Sequence, residues 1–269
     1  MPSLTSKPIA ITGASSGIGL ATALACAKAG MPVALAARRQ DRLQDAVREI
    51  TKMGGKAIAI ACDVTKPEDC QRLVDETIAH FGSIYSVFAN AGYGIEARAD
   101  TITDQELRDI FETNFFGTMF TIRPALAAMK QASSGHILIC SSAGSKIGVP
   151  LMSAYTASKA MQDHVGRAMR LELEGTGIHV STIHPIGTHT EFSKVLIEHS
   201  DGRKRQSETP KHKKQTVEHV AGTIVRCLEK PKGEVWPHFP TRLALAAATL
   251  VPNFADSVLR KKFKLKQAR

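Results

Sequence analysis

Short runs dominated by apolar residues alternate with longer stretches in which apolar residues recur every three or four positions. "KPIAIT" (Lys7 to Thr12), "PVALAA" (Pro32 to Ala37), "KAIAIACDV" (Lys56 to Val64), "SIYSVFANAG" (Ser83 to Gly92), "GHILICSS" (Gly135 to Ser142) and "IHVSTIHP" (Ile178 to Pro185) are of the first kind. Continuous apolar runs of that length suit strands buried on both faces. Between them lie helical patterns: Ile18 to Gly30, Asp41 to Gly55, Pro67 to Gly82, a long region from about Thr103 to Lys130, and Ser153 to Gly177. Pro67 suits a first helical turn, and Gly30 and Gly82 suit helix ends. "TVEHVAGTIVRCLEK" reads as a further helix and "GEVWPH" as a short last strand. Strands separated by helices of this length predict a doubly wound α/β architecture: about seven parallel strands joined by right-handed crossovers, with helices on both faces. There is no internal repeat, and Glu191 to Gln215 is the least regular stretch.

Composition narrows the picture little. The 269 residues are 43% apolar and only 5% aromatic, enough for one sizeable core packed from small side chains. One domain is expected. The five cysteines are scattered, with no CxxC grouping, so a reducing cytoplasm is the default compartment. "MPSLTSK" has no long apolar run behind it and does not read as a signal peptide. "LALAAATLV" (Leu243 to Val251) is far short of a membrane span and reads as a buried or interface helix.

Charge is informative by its placement. The formal net charge is +10, and the excess is concentrated in "RKRQSETPKHKK" (Arg203 to Lys214) and "RKKFKLKQAR" (Arg260 to Arg269), each with six Lys or Arg. Such runs bind anionic surfaces or nucleic acid in some proteins and are solvated segments in many more. Here the expectation is no nucleic-acid partner and at most a weak peripheral membrane contact by the tail.

The candidate chemistry starts at "TGASSGIG", Thr12 to Gly19, between the first strand and the first helix. Gly13, Gly17 and Gly19 let backbone approach a ligand closely, and the helix behind them offers free N–H groups to a phosphate. That is the logic of a dinucleotide site. An acid about 20 residues further on usually holds the ribose diol of NAD, in such sites. Here Ala36 and Ala37 stand in that place and Arg38 and Arg39 follow. Arginine offers a fork of donors to a 2′-phosphate, so the expected cofactor is NADP(H). Asp63 is placed either to accept from an adenine amino group or to cap its own loop. Asn90, Ala91 and Gly92 put an amide and small residues where the ribose or nicotinamide would lie.

Tyr155 and Lys159 are four apart on a predicted helix and share a face, and Ser142 closes the fifth strand. A phenol alone is a poor base at neutral pH. The Lys159 ammonium is expected to favour its ionised form, Tyr155 to exchange a proton with an alcohol oxygen, and Ser142 to hold that oxygen.

In this order the motifs resemble the short-chain dehydrogenase/reductase superfamily, of the simple single-domain type, most strongly from Lys7 to about Glu191. The resemblance implies a Rossmann-like fold and NADP(H)-dependent interconversion of an alcohol and a carbonyl. It implies that Thr12, Gly13, Ser15, Ser16, Gly17, Ile18 and Gly19 form the cofactor loop. It implies that Arg38, with Arg39 beside it, supplies the NADP preference, and that Asp63 and Val64 contact adenine. Asn90, Ala91 and Gly92 match the family's "NAG" motif. Asn114, in "FETNFFG", matches its catalytic asparagine, held to organise a water relay to the lysine; Ser142, Tyr155 and Lys159 complete a catalytic tetrad. The helices near Asn114 and Tyr155 are those that pair in the family's dimers and tetramers.

One departure stands out. The family usually reads Pro-Gly-x-x-x-Thr after the sixth strand; "HPIGTHTEF" keeps Pro185 and Thr190 but has Ile186 in the glycine's place, with Gly187 one position late. Pro185, Ile186 and Thr188 remain expected carboxamide contacts and Thr190 a phosphate contact. A substrate-side lid is expected over residues 188–215. Val149, Leu151, Met152, Phe192 and Leu196 predict an apolar substrate. His179, His184 and His189 form no metal-ligand pattern, and no metal is expected; His189 is a candidate substrate contact. The rival readings are a cofactor-binding regulator without turnover, and anionic-surface or nucleic-acid binding through the basic runs.

Overall fold

A computed structural model describes residues 4–188, 192 and 215–263. Seven strands form one sheet: β1 (Ile9–Thr12), β2 (Val33–Ala37), β3 (Ala57–Ala61), β4 (Ser86–Ala89), β5 (Gly135–Cys140), β6 (Ile178–Ile183) and β7 (Glu234–Val235). Their order is β3-β2-β1-β4-β5-β6-β7, and every neighbouring pair is parallel. The helices are α1 (Gly17–Lys28), α2 (Gln40–Lys52), α3 (Pro67–Phe81), α4 (Asp104–Phe111), α5 (Gly117–Ala132), α6 (Ser153–Glu172), α7 (Val217–Glu229), α8 (Phe239–Leu250) and α9 (Pro252–Lys262).

The apolar runs are strands because both their faces are covered. Ile9, Ile11, Val33, Leu35, Phe88 and Leu138 enter one core cluster, while the alternate positions Ala10, Ala34, Ala36, Val87, Ile137 and Ile139 enter another. The first cluster packs under α1, α2 and α7 through Ala23, Leu43, Ile50 and Ile224. The second packs under α3, α5 and α6 through Leu73, Ile122, Met129 and Met169. The chain winds outward from β1 to β3, returns to β4 beside β1, and winds the other way. That reversal opens a crevice at the carboxyl ends of β1 and β4, where open α/β sheets bind ligands.

One expectation is refined and one corrected. The long helical region from about Thr103 to Lys130 is there, built of three continuous pieces: α4, a π-helical turn at Glu112–Phe116, and α5. A capping box starts α4, with Glu106 N–H donating to Thr103 Oγ1 and Thr103 N–H to the Glu106 carboxylate. The π turn adds a residue to the register and aims the buried Asn114 at the site. The apolar stretch Leu243 to Val251 does form a helix, but α8 has no buried residue. Leu245 faces the body half-buried while Leu243 and Leu250 face out, so the buried alternative fails. The lid expected over residues 188–215 falls almost wholly outside the described residues, as does most of the tail from 260 to 269.

Candidate active site

The glycine loop follows β1 directly. Gly13 and Gly17 sit at positive φ, 66° and 58°, where a side chain would be strained. Gly19 is required for a different reason: a β-carbon there would stand 2.4 Å from the Gly13 carbonyl oxygen. Ser16 is the N-cap of α1 and its side chain makes no capping bond, so the first-turn N–H groups remain open to a ligand. No acid lies in that turn. Thr12 pins the loop to β4: its hydroxyl accepts from the N–H groups of Asn90 (3.1 Å) and Ala91 (3.2 Å). The loop is thus a small concavity of free donors at a helix N-terminus, the chemistry that fits a pyrophosphate.

Several expected contacts have partners of their own. The Asn90 amide donates to the Thr12 and Gly13 carbonyls, so it braces the loop. Asp63 Oδ1 accepts from the N–H and hydroxyl of Thr65, the loop-capping alternative. Val64 is buried against Gly117. Arg38 and Arg39 are exposed at the end of β2 and point to different neighbours. Arg39 donates to Ser15 Oγ (3.0 Å) and Ser16 Oγ (2.8 Å), across the loop. Arg38 lies near Tyr93, whose phenol burial pushes up to about 12 while the Arg38 charge acts to lower it.

Around the carboxyl end of β5 the remaining residues converge. Ser142 caps a short 3-10 turn (Ala143–Lys146), its hydroxyl accepting from the Gly144 N–H at 3.1 Å. The same hydroxyl faces the Tyr155 phenol and acts to lower its pKa. Lys159, one helical turn on, is buried and donates to the Cys140 carbonyl at 2.8 Å, with Nζ 5.9 Å from the centre of the Tyr155 ring. Gly92 lets these groups crowd together, since a β-carbon there would lie 2.8 Å from Asn114 Oδ1 and 3.3 Å from Lys159 Nζ. Burial pushes the Tyr155 phenol well above its ordinary range, and the facing Ser142 hydroxyl opposes this only in part. The lowering expected from Lys159 is therefore not what sets the phenol. Burial also draws the Lys159 ammonium below its usual value, so phenol and ammonium move apart, each toward its neutral form.

Asn114 is fully committed within the protein. Its Oδ1 accepts from Tyr93 N–H and its Nδ2 donates to Tyr93 O and Ser158 Oγ, each at 2.9 Å. Its carbonyl accepts from Gln162 Nε2 (2.5 Å) and Thr118 Oγ1 (2.7 Å). Pro185 accepts from the Ala143 N–H, and Thr188 Oγ1 donates to the Ile186 carbonyl. Neither Ile186 nor Gly187 has positive φ, so isoleucine stands in the usual glycine position without backbone strain. Thr190, His189 and Leu196 lie outside the described residues.

A sequence profile described as short chain dehydrogenase matches residues 7–201, almost the whole stretch that builds this site. The chain belongs to the short chain dehydrogenase family. Among its relatives is 11-beta-hydroxysteroid dehydrogenase 1A of Arabidopsis thaliana, 38% identical over 193 residues. That match covers 71% of this chain and 55% of the relative, so the chain spans about half the length of that curated relative. Solved dehydrogenases share the fold. One from Burkholderia phymatum in complex with NAD superposes with a TM-score of 0.85 over 95% of this chain and 97% of its own, at 20% identity. The alcohol dehydrogenase of Thermococcus sibiricus complexed with 5-hydroxy-NADP does so at 0.74, over 86% and 95%, at 28% identity.

In this short chain dehydrogenase a second cluster lies beneath the 3-10 turn, and sequence reading missed it. His184 Nδ1 is 3.2 Å from the Ser142 carbonyl and its Nε2 3.3 Å from Asp163 Oδ1. The ring stacks on Trp236 at 4.4 Å. Lys146 Nζ bridges Asp163 (2.6 Å) and Glu234 (3.0 Å). Asp163, His184 and Glu234 offer ligand atoms within 4.8 Å of one another, and the Lys146 ammonium already supplies the positive charge between two of them. Burial alone would raise the Asp163 carboxyl; the bonds and charges of His184 and Lys146 more than offset this and hold it well below the usual range. Tyr93, Ile95 and Ile110 also went unnoticed in the sequence; they form a small apolar cluster against Tyr155.

Proposed function

We propose that this chain is an NADP(H)-dependent oxidoreductase interconverting an alcohol and a carbonyl on an apolar substrate. The observation that carries the reading is the Ser142–Tyr155 hydroxyl pair with buried Lys159 one turn away. Tyr155 holds or takes the proton at the substrate oxygen. Ser142 donates to that oxygen and stabilises charge developing there. With its phenol held protonated by burial, Tyr155 is set to donate to a carbonyl oxygen. Lys159, whose ammonium burial makes more acidic, returns a proton to the phenolate and reaches the ribose hydroxyls. Asn114 acts as a positioning residue: its bonded amide and carbonyl tie the Tyr93 loop to α6, in place of the expected water relay.

The dinucleotide lies along Thr12, Gly13, Ser15, Ser16, Gly17, Ile18 and Gly19, with Asp63 and Val64 at the adenine. Ala91, Gly92, Pro185, Ile186 and Thr188 line the nicotinamide end. When bound, this cofactor supplies or accepts the hydride. The preference for NADP(H) rests on Ala36 and Ala37 in place of an acid and on Arg39 laid over Ser15 and Ser16. The apolar character of the substrate rests on Val149, Leu151, Met152, and Phe192, whose ring lies 5.3 Å from that of Tyr155. Exposed Phe116 and Met161, on the π turn and α6, support pairing of two or four copies across that side. The test is a screen of purified protein against carbonyl compounds of graded size and polarity, followed by NADPH absorbance. Reduction of apolar ketones in preference to polar ones supports the reading, and no turnover of any carbonyl, with NADPH bound, favours a non-catalytic cofactor-binding regulator.

A further inference from the structure

The last two helices display apolar side chains that are about half or more exposed. In α8 the half-buried Thr241, Leu245 and Ala248 face the body; in α9 Ala255 and Leu259 do so, followed by buried Phe263. Away from these lie Leu243 and Leu250 on α8, Val251 at the junction, and Phe254 and Val258 on the flank of α9, with Leu250 82% and Phe254 69% exposed. Single exposed apolar residues are ordinary, but these gather on two helices that pack on each other and at their junction. Charge tells what covers them. From Phe239 to Phe263 the sequence holds Arg260, Lys261 and Lys262, besides an Arg242 that faces Glu234, against Asp256 alone, and Lys264, Lys266 and Arg269 follow.

A second copy related by a twofold axis would set this basic group against itself. A protein partner would need an apolar centre with an acidic rim. An anionic lipid surface offers both at once, acyl chains for the leucines and phenylalanines and phosphates for the lysines and arginines. We propose that the outer face of α8 and α9 is a peripheral docking surface for anionic phospholipid bilayers. No helix among the described residues is long and apolar enough to cross a membrane, so the contact is interfacial. The location also bears on the reaction proposed above, and this consequence rests on that reading. α8 packs against the Ala143–Lys146 turn that follows Ser142, and its Arg242 lies 3.6 Å from Glu234 of the buried cluster. Docking there sets the substrate side of the site near the lipid in which apolar alcohols and ketones dissolve.

The test is co-sedimentation of the full chain with vesicles of phosphatidylcholine alone and of phosphatidylcholine mixed equally with phosphatidylglycerol. Binding to the mixed vesicles about tenfold or more tighter than to phosphatidylcholine, weakening as salt rises, is expected. Leu250→Glu with Phe254→Glu, and separately Arg260→Glu with Lys261→Glu, should each cut that binding about tenfold or more. Melting temperature and solution mass should stay unchanged, and the milder Phe254→Ser should weaken binding in the same direction. Equal binding by wild type and variants, or none by wild type, overturns the proposal. So does a wild-type oligomer that the Leu250 and Phe254 changes dissociate without any vesicle binding, which assigns the face to a second copy. Because sedimentation does not read turnover, these outcomes are independent of whether the oxidoreductase reading holds.

Discussion

Arg39 lays its guanidinium across the cofactor loop, with Nη2 2.8 Å from the Ser16 hydroxyl. The sequence points first to Arg38 as the phosphate ligand, yet the side chain that reaches the loop is its neighbour. If the 2′-phosphate is held there, Arg39→Ala removes a charge-assisted bond worth about 1.5–3 kcal/mol. NADPH affinity should fall about ten- to a hundredfold and NADH affinity should change little. Arg38→Ala should have the smaller effect of the two. Fluorescence titration of both cofactors against both variants measures this; equal losses for NADPH and NADH would remove the assignment.

Gly19 offers a steric test of the same loop. A β-carbon there meets the Gly13 carbonyl at 2.4 Å and Asn90 Nδ2 at 2.7 Å, both parts of the loop's own bracing. Gly19→Ala should cost about 1–3 kcal/mol of stability, by overpacking, and weaken both cofactors. Gly148 is the control: a β-carbon there would meet nothing within 4 Å, and its φ is not positive. Gly148→Ala should change stability by less than about 0.5 kcal/mol. Thermal melts with and without cofactor separate the two.

The buried charge cluster predicts a pH dependence of stability. Asp163 has a carboxyl held below its unfolded value, so its contribution is present above about pH 4 and is lost as pH falls toward the folded value. Asp163→Asn should cost about 3 kcal/mol at neutral pH, and the gap to wild type should narrow below about pH 4. Lys146→Met should be worse, because it leaves the Asp163 and Glu234 carboxylates together without the ammonium between them. Denaturant midpoints across pH give both answers. A constant difference at every pH would mean that Asp163 contributes by packing alone.

The strands and the cofactor loop are legible in the sequence because each has few physical solutions. A run such as Ile9–Ile11 is apolar at every position only if both faces are covered, and the contacts of Ile11 and Ala10 on opposite faces bear this out. Three glycines at a strand-to-helix turn reflect two positive φ angles and one close approach. What stays hidden depends on tertiary partners. The π turn at Asn114 has no periodicity of its own, and its register is set by bonds to Tyr93 and Ser158. Lys146, Asp163, His184 and Glu234 come from four separate segments, so no spacing announces them. In α8, Leu243 and Leu245 are equally apolar, and hydropathy does not tell which one faces the body. The Tyr155 shift has the opposite sign to the one expected for a related reason: a helical spacing shows that Lys159 is near, but not that burial of the hydroxyl outweighs its charge.

The central claim is that the Tyr155 hydroxyl moves the proton. Tyr155→Phe keeps the ring that packs against Phe192 and the Ile95–Ile110 cluster. Single-turnover assays at saturating NADPH, on whichever ketone the screen selects, should show its rate lowered about 10²–10⁴-fold with NADPH affinity retained. Lys159→Ala should lose both rate and affinity, and Ser142→Ala chiefly rate. A Tyr155→Phe protein that reduces the ketone at the wild-type rate would contradict the account.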